Sequence, residues 1–126
     1  MFPDIKDGIR GDYLPPKFKT FKLGEDLRYT RDGDIIFTIP EGFITDFASI
    51  PKIFRNIIGK MERHMPCAIL HDYLYATGCV SKKEADMYFL ESMKEEKVRW
   101  LKRKAMYYAV KFGGLMAWND HRKKED

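Results

Sequence analysis

The chain has 126 residues, a net charge of +4, 44% hydrophobic and 33% charged residues. This describes one ordinary globular domain able to bury a core, and no apolar run approaches the roughly 20 residues of a membrane span. Met1 to Asp7 lacks the apolar centre of a signal peptide.

Residues 1–16 carry Gly8, Gly11, Pro15 and Pro16 and read as an irregular arm laid over a sheet. The sheet is expected over 17–46. Phe18 and Leu23 bound a first strand whose polar positions are Lys17, Lys19 and Lys22, and Leu27 and Tyr29 belong to a second. Asp32-Gly33 predicts a tight hairpin, because both positions tolerate positive φ. Ile35 to Ile39 follows as a third strand. Pro40-Glu41-Gly42 turns into a short fourth strand, Phe43 to Asp46. The pattern is an antiparallel meander of three or four strands.

Phe47 to Pro51 marks the switch to helices, which are expected over 50–121. Ser49 is read as an N-cap with Pro51 in the first turn, opening a short helix, Ile50 to Ile58, that Gly59 ends. Ser49 has no base near it in sequence. A polar loop, Lys60 to His64, leads to Pro66 and a helix that Gly78 stops. Ser81-Lys82-Lys83-Glu84 is a capping box starting the next helix, which runs to about Lys97. The last helix spans Val98 to His121, with Leu101, Ala105, Tyr108, Ala109, Phe112 and Met116 as its core stripe. Gly113-Gly114 permits a kink or close packing there. Lys102, Arg103, Lys104 and Lys111 form a basic outer face suited to anionic lipid or nucleic acid, and 122–126 is a frayed tail. The predicted class is α+β: an N-terminal antiparallel sheet followed by about four helices.

The chemistry concentrates in Cys67-Ala68-Ile69-Leu70-His71-Asp72-Tyr73-Leu74-Tyr75. On a helix, Cys67, Leu70, His71 and Leu74 share the buried stripe, and Tyr75 lies one turn after His71. A buried imidazole needs a partner. Asp86, on the inward face of the capping-box helix, is the candidate. A histidine held by a buried carboxylate is tuned as a general base. Asp72 points about 100° away from His71 and could bind a divalent cation, Ca²⁺ by preference, with Asp46 as a second carboxylate. A buried structural hydrogen-bond network is the other reading of the same residues. His64 is expected in the loop before the helix and not among the ligands. Cys67 and Cys79 fall roughly 18 Å apart at about 1.5 Å per residue, so free thiols and a reducing compartment are expected.

Thr45-Asp46-Phe47-Ala48-Ser49-Ile50-Pro51, then His71-Asp72-Tyr73-Leu74-Tyr75, then Glu84-Ala85-Asp86-Met87-Tyr88-Phe89 resemble a family of small phage and prophage proteins, the domain of unknown function 1353. The resemblance implies a viral or prophage source, a site of action in the bacterial cytoplasm or in the virion, and a phage or host protein as partner. His71-Asp72 with Tyr75, followed by Asp86 and Phe89, is also similar to the catalytic helix pair of phospholipases A2. That similarity implies His71 as the base, Asp72 as a calcium ligand, and Asp86 and Tyr75 as residues that orient the histidine. It points to hydrolysis of an ester or phosphoester. The glycine-rich calcium loop and the disulfides of secreted phospholipases are missing from this chain.

Overall fold

The computed structural model describes residues 1–5, 9–17, 20–50 and 64–124. It is an α+β chain of two compact units, Met1–Asp46 and Phe47–Asp126. The boundary coincides with the switch point read from the sequence.

Among its described residues the first unit holds five strands: β1 (Gly11–Leu14), β2 (Thr20–Leu23), β3 (Leu27–Arg31), β4 (Asp34–Ile39) and β5 (Ile44–Thr45). They form two sheets instead of one meander. β2 pairs antiparallel with β1, Gly11 opposite Leu23, and with β5, Phe21 opposite Thr45. β3 and β4 form a separate hairpin, Leu27 opposite Ile39. The departure begins after Leu23. Its amide donates to the Phe43 carbonyl at 2.9 Å and its carbonyl accepts from Gly42 at 2.8 Å. β2 is thereby claimed by the chain before β5, and the intervening hairpin is left to pair with itself. The expected arm is also corrected. Gly11–Leu14 is an ordered edge strand, and Tyr13 meets Phe21 edge-on at 5.2 Å between ring centroids.

The turn chemistry is as the sequence indicates. Asp32 and Gly33 take φ of 52° and 84°, the two positive values that a tight hairpin with right-handed strand twist requires. Alternation also holds. Phe21 and Leu23 are buried around exposed Lys22, and Leu27 and Tyr29 are buried around exposed Arg28. Arg28 additionally pairs with Asp4 of the short 3₁₀ turn Pro3–Ile5.

The second unit contains α1 (Met65–Thr77), α2 (Lys82–Glu95), α3 (Trp100–Gly113) and α4 (Leu115–Lys124). Gly78 ends α1 in the left-handed conformation, φ 64°, its amide bonded to the Leu74 carbonyl. Ser81 and Glu84 form the full capping box of α2. That helix stops at Glu95, two residues short of expectation, and Lys97 takes φ of 59°. The expected last helix is two helices broken at Gly114. The expected helix Ile50–Ile58, its Gly59 stop and most of the Lys60–His64 loop lie outside the described residues. His64 itself is the N-cap residue of α1 and is buried.

The core of this unit is supplied by α1 and α2: Cys67, Ala68, Ile69, Leu70, Leu74 and Tyr75 against Ala85, Phe89 and Met93. α3 joins through Met106 and Val110, not through the stripe expected from the sequence. Leu101, Tyr108, Phe112 and Met116 are 73%, 49%, 75% and 78% exposed. At about 100° per residue, Met106 and Val110 lie on the side of α3 opposite Leu101 and Phe112. The helix has two apolar faces, and packing selected the narrower one. No helix among the described residues is long and apolar enough to cross a membrane.

Candidate functional site

The site is built where α1 and α2 pack. His71 and Tyr75 are one turn apart on α1, so their side chains leave the same face. The α1–α2 connection is short because a left-handed glycine and a capping box follow one another. Asp86, at the fifth position of α2, is thereby brought level with them. His71 Nε2 lies 2.7 Å from Asp86 Oδ1, and the Tyr75 hydroxyl donates to the same oxygen at 2.7 Å. Lys82, one turn before Asp86, donates to Oδ2 at 2.8 Å. Its ammonium also donates to the carbonyls of Val110 and Lys111, at 3.2 and 3.0 Å. It therefore ties α2 to the last turn of α3, where the helix dipole favours a cation.

The other ring nitrogen, Nδ1, lies 2.9 Å from the Ser49 hydroxyl. Ser49 is delivered by a turn in which the Ile50 amide closes on the Phe47 carbonyl at 2.9 Å. Phe47 takes φ of 58°, a left-handed conformation that costs a non-glycine residue about 1–2 kcal/mol. Asp72 secures the same turn, accepting the Ser49 amide at 3.3 Å. Adjacent residues of α1 thus hold one serine from two sides, His71 by the hydroxyl and Asp72 by the backbone.

The network is sealed. His71 has 0% of its surface exposed, Ser49 1%, Asp86 2% and Asp72 4%. The imidazole lies between the rings of Tyr75 and Phe89, centroids 4.3 and 4.7 Å away. Tyr75 is backed edge-on by Trp118 of α4 at 5.2 Å. Burial lowers the His71 pKa, outweighing the opposing pull of Asp86. Burial also raises that of Asp86, but the bonds from His71, Lys82 and Tyr75 prevail and hold it below the usual carboxylate range. The pair is a neutral imidazole donating through Nε2–H to an ionised carboxylate, with Nδ1 accepting from Ser49. Burial and the Asp86 contact push the Tyr75 hydroxyl up, so it remains a donor.

Of the residues expected from the sequence, His71, Asp86 and Tyr75 come together. Asp72 is near them but turned onto a backbone amide. Asp46 is exposed one residue beyond β5, in the first unit. Among the described residues, no group of three or more His, Cys, Asp or Glu side chains is placed to hold a metal ion. Ser49, read from the sequence only as a cap with no local base, is hydrogen-bonded to His71, 22 residues away. No local signal could have found it. Lys82 was legible, since lysine and aspartate four apart on a helix face each other. Cys67 and Cys79 are both free thiols.

Residues 21–110 match the model of a family described as protein of unknown function (DUF1353). An uncharacterized protein, y4jT, of Sinorhizobium fredii is 30% identical over 113 residues. That alignment covers 87% of this chain and 34% of the relative, so the chain spans about a third of its length. No solved structure matches the chain.

Proposed function

The chain belongs to the DUF1353 family, and on that premise we propose that it is a non-catalytic phage or prophage accessory module, acting in the host cytoplasm or the virion. In this reading the Ser49–His71–Asp86–Lys82 chain is a structural strut. One observation carries it: the imidazole has both nitrogens bonded and 0% of its surface exposed. A general base must reach the proton it abstracts directly or through one water. This ring offers neither nitrogen to solvent water or substrate; its Nδ1 reaches only the Ser49 hydroxyl. The strut joins the turn at Ser49, α1, α2 and the end of α3, and fixes their spacing. The partner on this reading is a phage or host protein.

A second reading is favoured by the order of the bonds. Hydroxyl, imidazole and carboxylate are linked at 2.9 and 2.7 Å, the connectivity of a nucleophile, its base and the group that orients the base. On this reading the chain is a small hydrolase of esters or phosphoesters, and an opening that exposes Ser49 precedes chemistry. The metal-assisted version, with Asp72 and Asp46 on Ca²⁺, finds no assembled donor set among the described residues.

A fluorophosphonate probe and p-nitrophenyl ester turnover separate the two. The structural reading expects no probe on Ser49 and no turnover lost in Ser49→Ala. Stoichiometric labelling of Ser49, abolished in His71→Gln, would establish the hydrolase instead.

A further inference from the structure

Charge and apolar surface coincide on α3 and the start of α4. From Lys97 to Asn119 the sequence contains six basic residues and no Asp or Glu. Those six charges exceed the net +4 of the whole chain, so the remainder is net negative by two. In the same segment Trp100, Leu101, Tyr108, Phe112, Leu115 and Met116 are each between 49% and 78% exposed. At about 100° per residue, Trp100, Leu101, Ala105, Tyr108 and Phe112 occupy an arc of about 140° on α3. Lys104 and Lys111 fall within that arc, between Trp100 and Tyr108, and Lys102 falls beyond its far end.

The lysines are arranged as stems along the apolar face. The Lys104 ammonium lies 4.6 Å from the centre of the Trp100 ring, and that of Lys111 lies 5.6 Å from Phe112. Such side chains cover apolar surface while keeping the charge at its edge. The combination suits a helix lying in a bilayer interface: aromatic and aliphatic groups on one face, lysines whose stems run along them, no acid among them.

We propose that the outer face of α3, continued by Leu115 and Met116, docks on an anionic lipid surface. Charge complementarity selects this occupant. A second copy of the chain would bring two strongly positive faces together. A nucleic acid would neutralise the lysines but give Leu101, Leu115 and Met116 no apolar environment. An anionic bilayer satisfies both halves, attracting the charges with its headgroups and taking the apolar side chains into the acyl boundary. The inference is independent of the buried strut, none of whose side chains belongs to this face.

The test is flotation of the full chain with two kinds of vesicle, pure phosphatidylcholine and phosphatidylcholine with about 30% phosphatidylglycerol. Binding is expected to be at least about tenfold tighter on the anionic vesicles and to weaken with added salt. Tryptophan emission should shift to the blue on binding, and Trp100→Phe should remove most of that shift. Leu101→Ser combined with Phe112→Ser should reduce partitioning about tenfold or more. Thermal stability should be unchanged, since both side chains are about three-quarters exposed. Lys104→Glu with Lys111→Glu should abolish the preference for anionic vesicles. Failure to bind either vesicle overturns the proposal. So do undiminished binding by the double variants, binding to oligo(dT) without binding to vesicles, and a dimer that shields Trp100.

Discussion

The Tyr75 hydroxyl occupies the space that a side chain at Gly114 would need. A Cβ built on Gly114 would stand 2.6 Å from that oxygen and 2.5 Å from the Val110 carbonyl oxygen. The break between α3 and α4 therefore lies where Tyr75 reaches through to Asp86. Gly114 has φ of −88°, so the requirement is for room and not for a left-handed backbone.

Two neighbouring glycines should consequently respond in opposite ways. Gly114→Ala is expected to destabilise by about 1–3 kcal/mol, the usual range for overpacking a filled site. At Gly113 an added Cβ meets nothing within 4 Å. Gly113→Ala should stabilise by about 0.5–1 kcal/mol through helix propensity. Urea titrations of the two variants check this, and equal effects would mean that Tyr75 does not pack against Gly114.

Removing the imidazole should cost far more than its size suggests. His71→Ala leaves the Ser49 hydroxyl and one acceptor position of Asp86 unmatched in a sealed site, an expected loss of about 3–5 kcal/mol. His71→Gln can still present an N–H towards Asp86 and should lose less. Ser49→Ala should cost about 1–2 kcal/mol. A loss below about 1 kcal/mol for His71→Ala would contradict a structural role, since an open site tolerates truncation.

Acid should weaken the fold through the same pair. The His71 pKa is depressed in the fold from its ordinary 6.5, chiefly by burial. Below that value the unfolded chain binds a proton that the folded chain refuses, so stability falls as pH drops. The Asp86 pKa is also lowered, from 3.8, the bonds from His71 and Lys82 outweighing burial. Its contribution is present above pH 3.8 and is lost as pH falls through its lower folded value. Stability is thus expected to be level above about pH 6.5, to decline below it, and to fall more steeply below 3.8. Melting temperatures of the wild type and His71→Gln across this range isolate the imidazole. A wild-type excess that grows on acidification from pH 7 to 5 would mean that the ring is charged in the fold.

The thiols should react at very different rates. Cys67 is fully buried, and burial pushes its thiol up to about 12. Cys79 is exposed. Ellman's reagent should label one thiol quickly in the native protein and the second only as fast as the fold opens, because the thiolate is the reacting form. Rapid labelling of both would show that the α1–α2 core is open.

The sequence by itself determined whatever local chemistry controls. Asp32-Gly33 makes a hairpin, Gly78 ends α1, and Ser81 with Glu84 begins α2, because each depends on backbone geometry a few residues long. His71, Tyr75 and Asp86 were also legible, since helical periodicity puts them on inward faces and two adjacent helices must bury those faces together. Tertiary structure decided the rest. Ser49 reaches His71 across 22 residues through a turn that no local pattern marks. β2 pairs with β5 and not with β3, a choice between competing long-range ladders. α3 carries two apolar stripes, and periodicity alone favours the wider, aromatic one. The fold buries Met106 and Val110 instead, because the end of that helix is anchored by Lys82 and Gly114. Which apolar face becomes core depends on what lies opposite it, and that is a property of the packed chain.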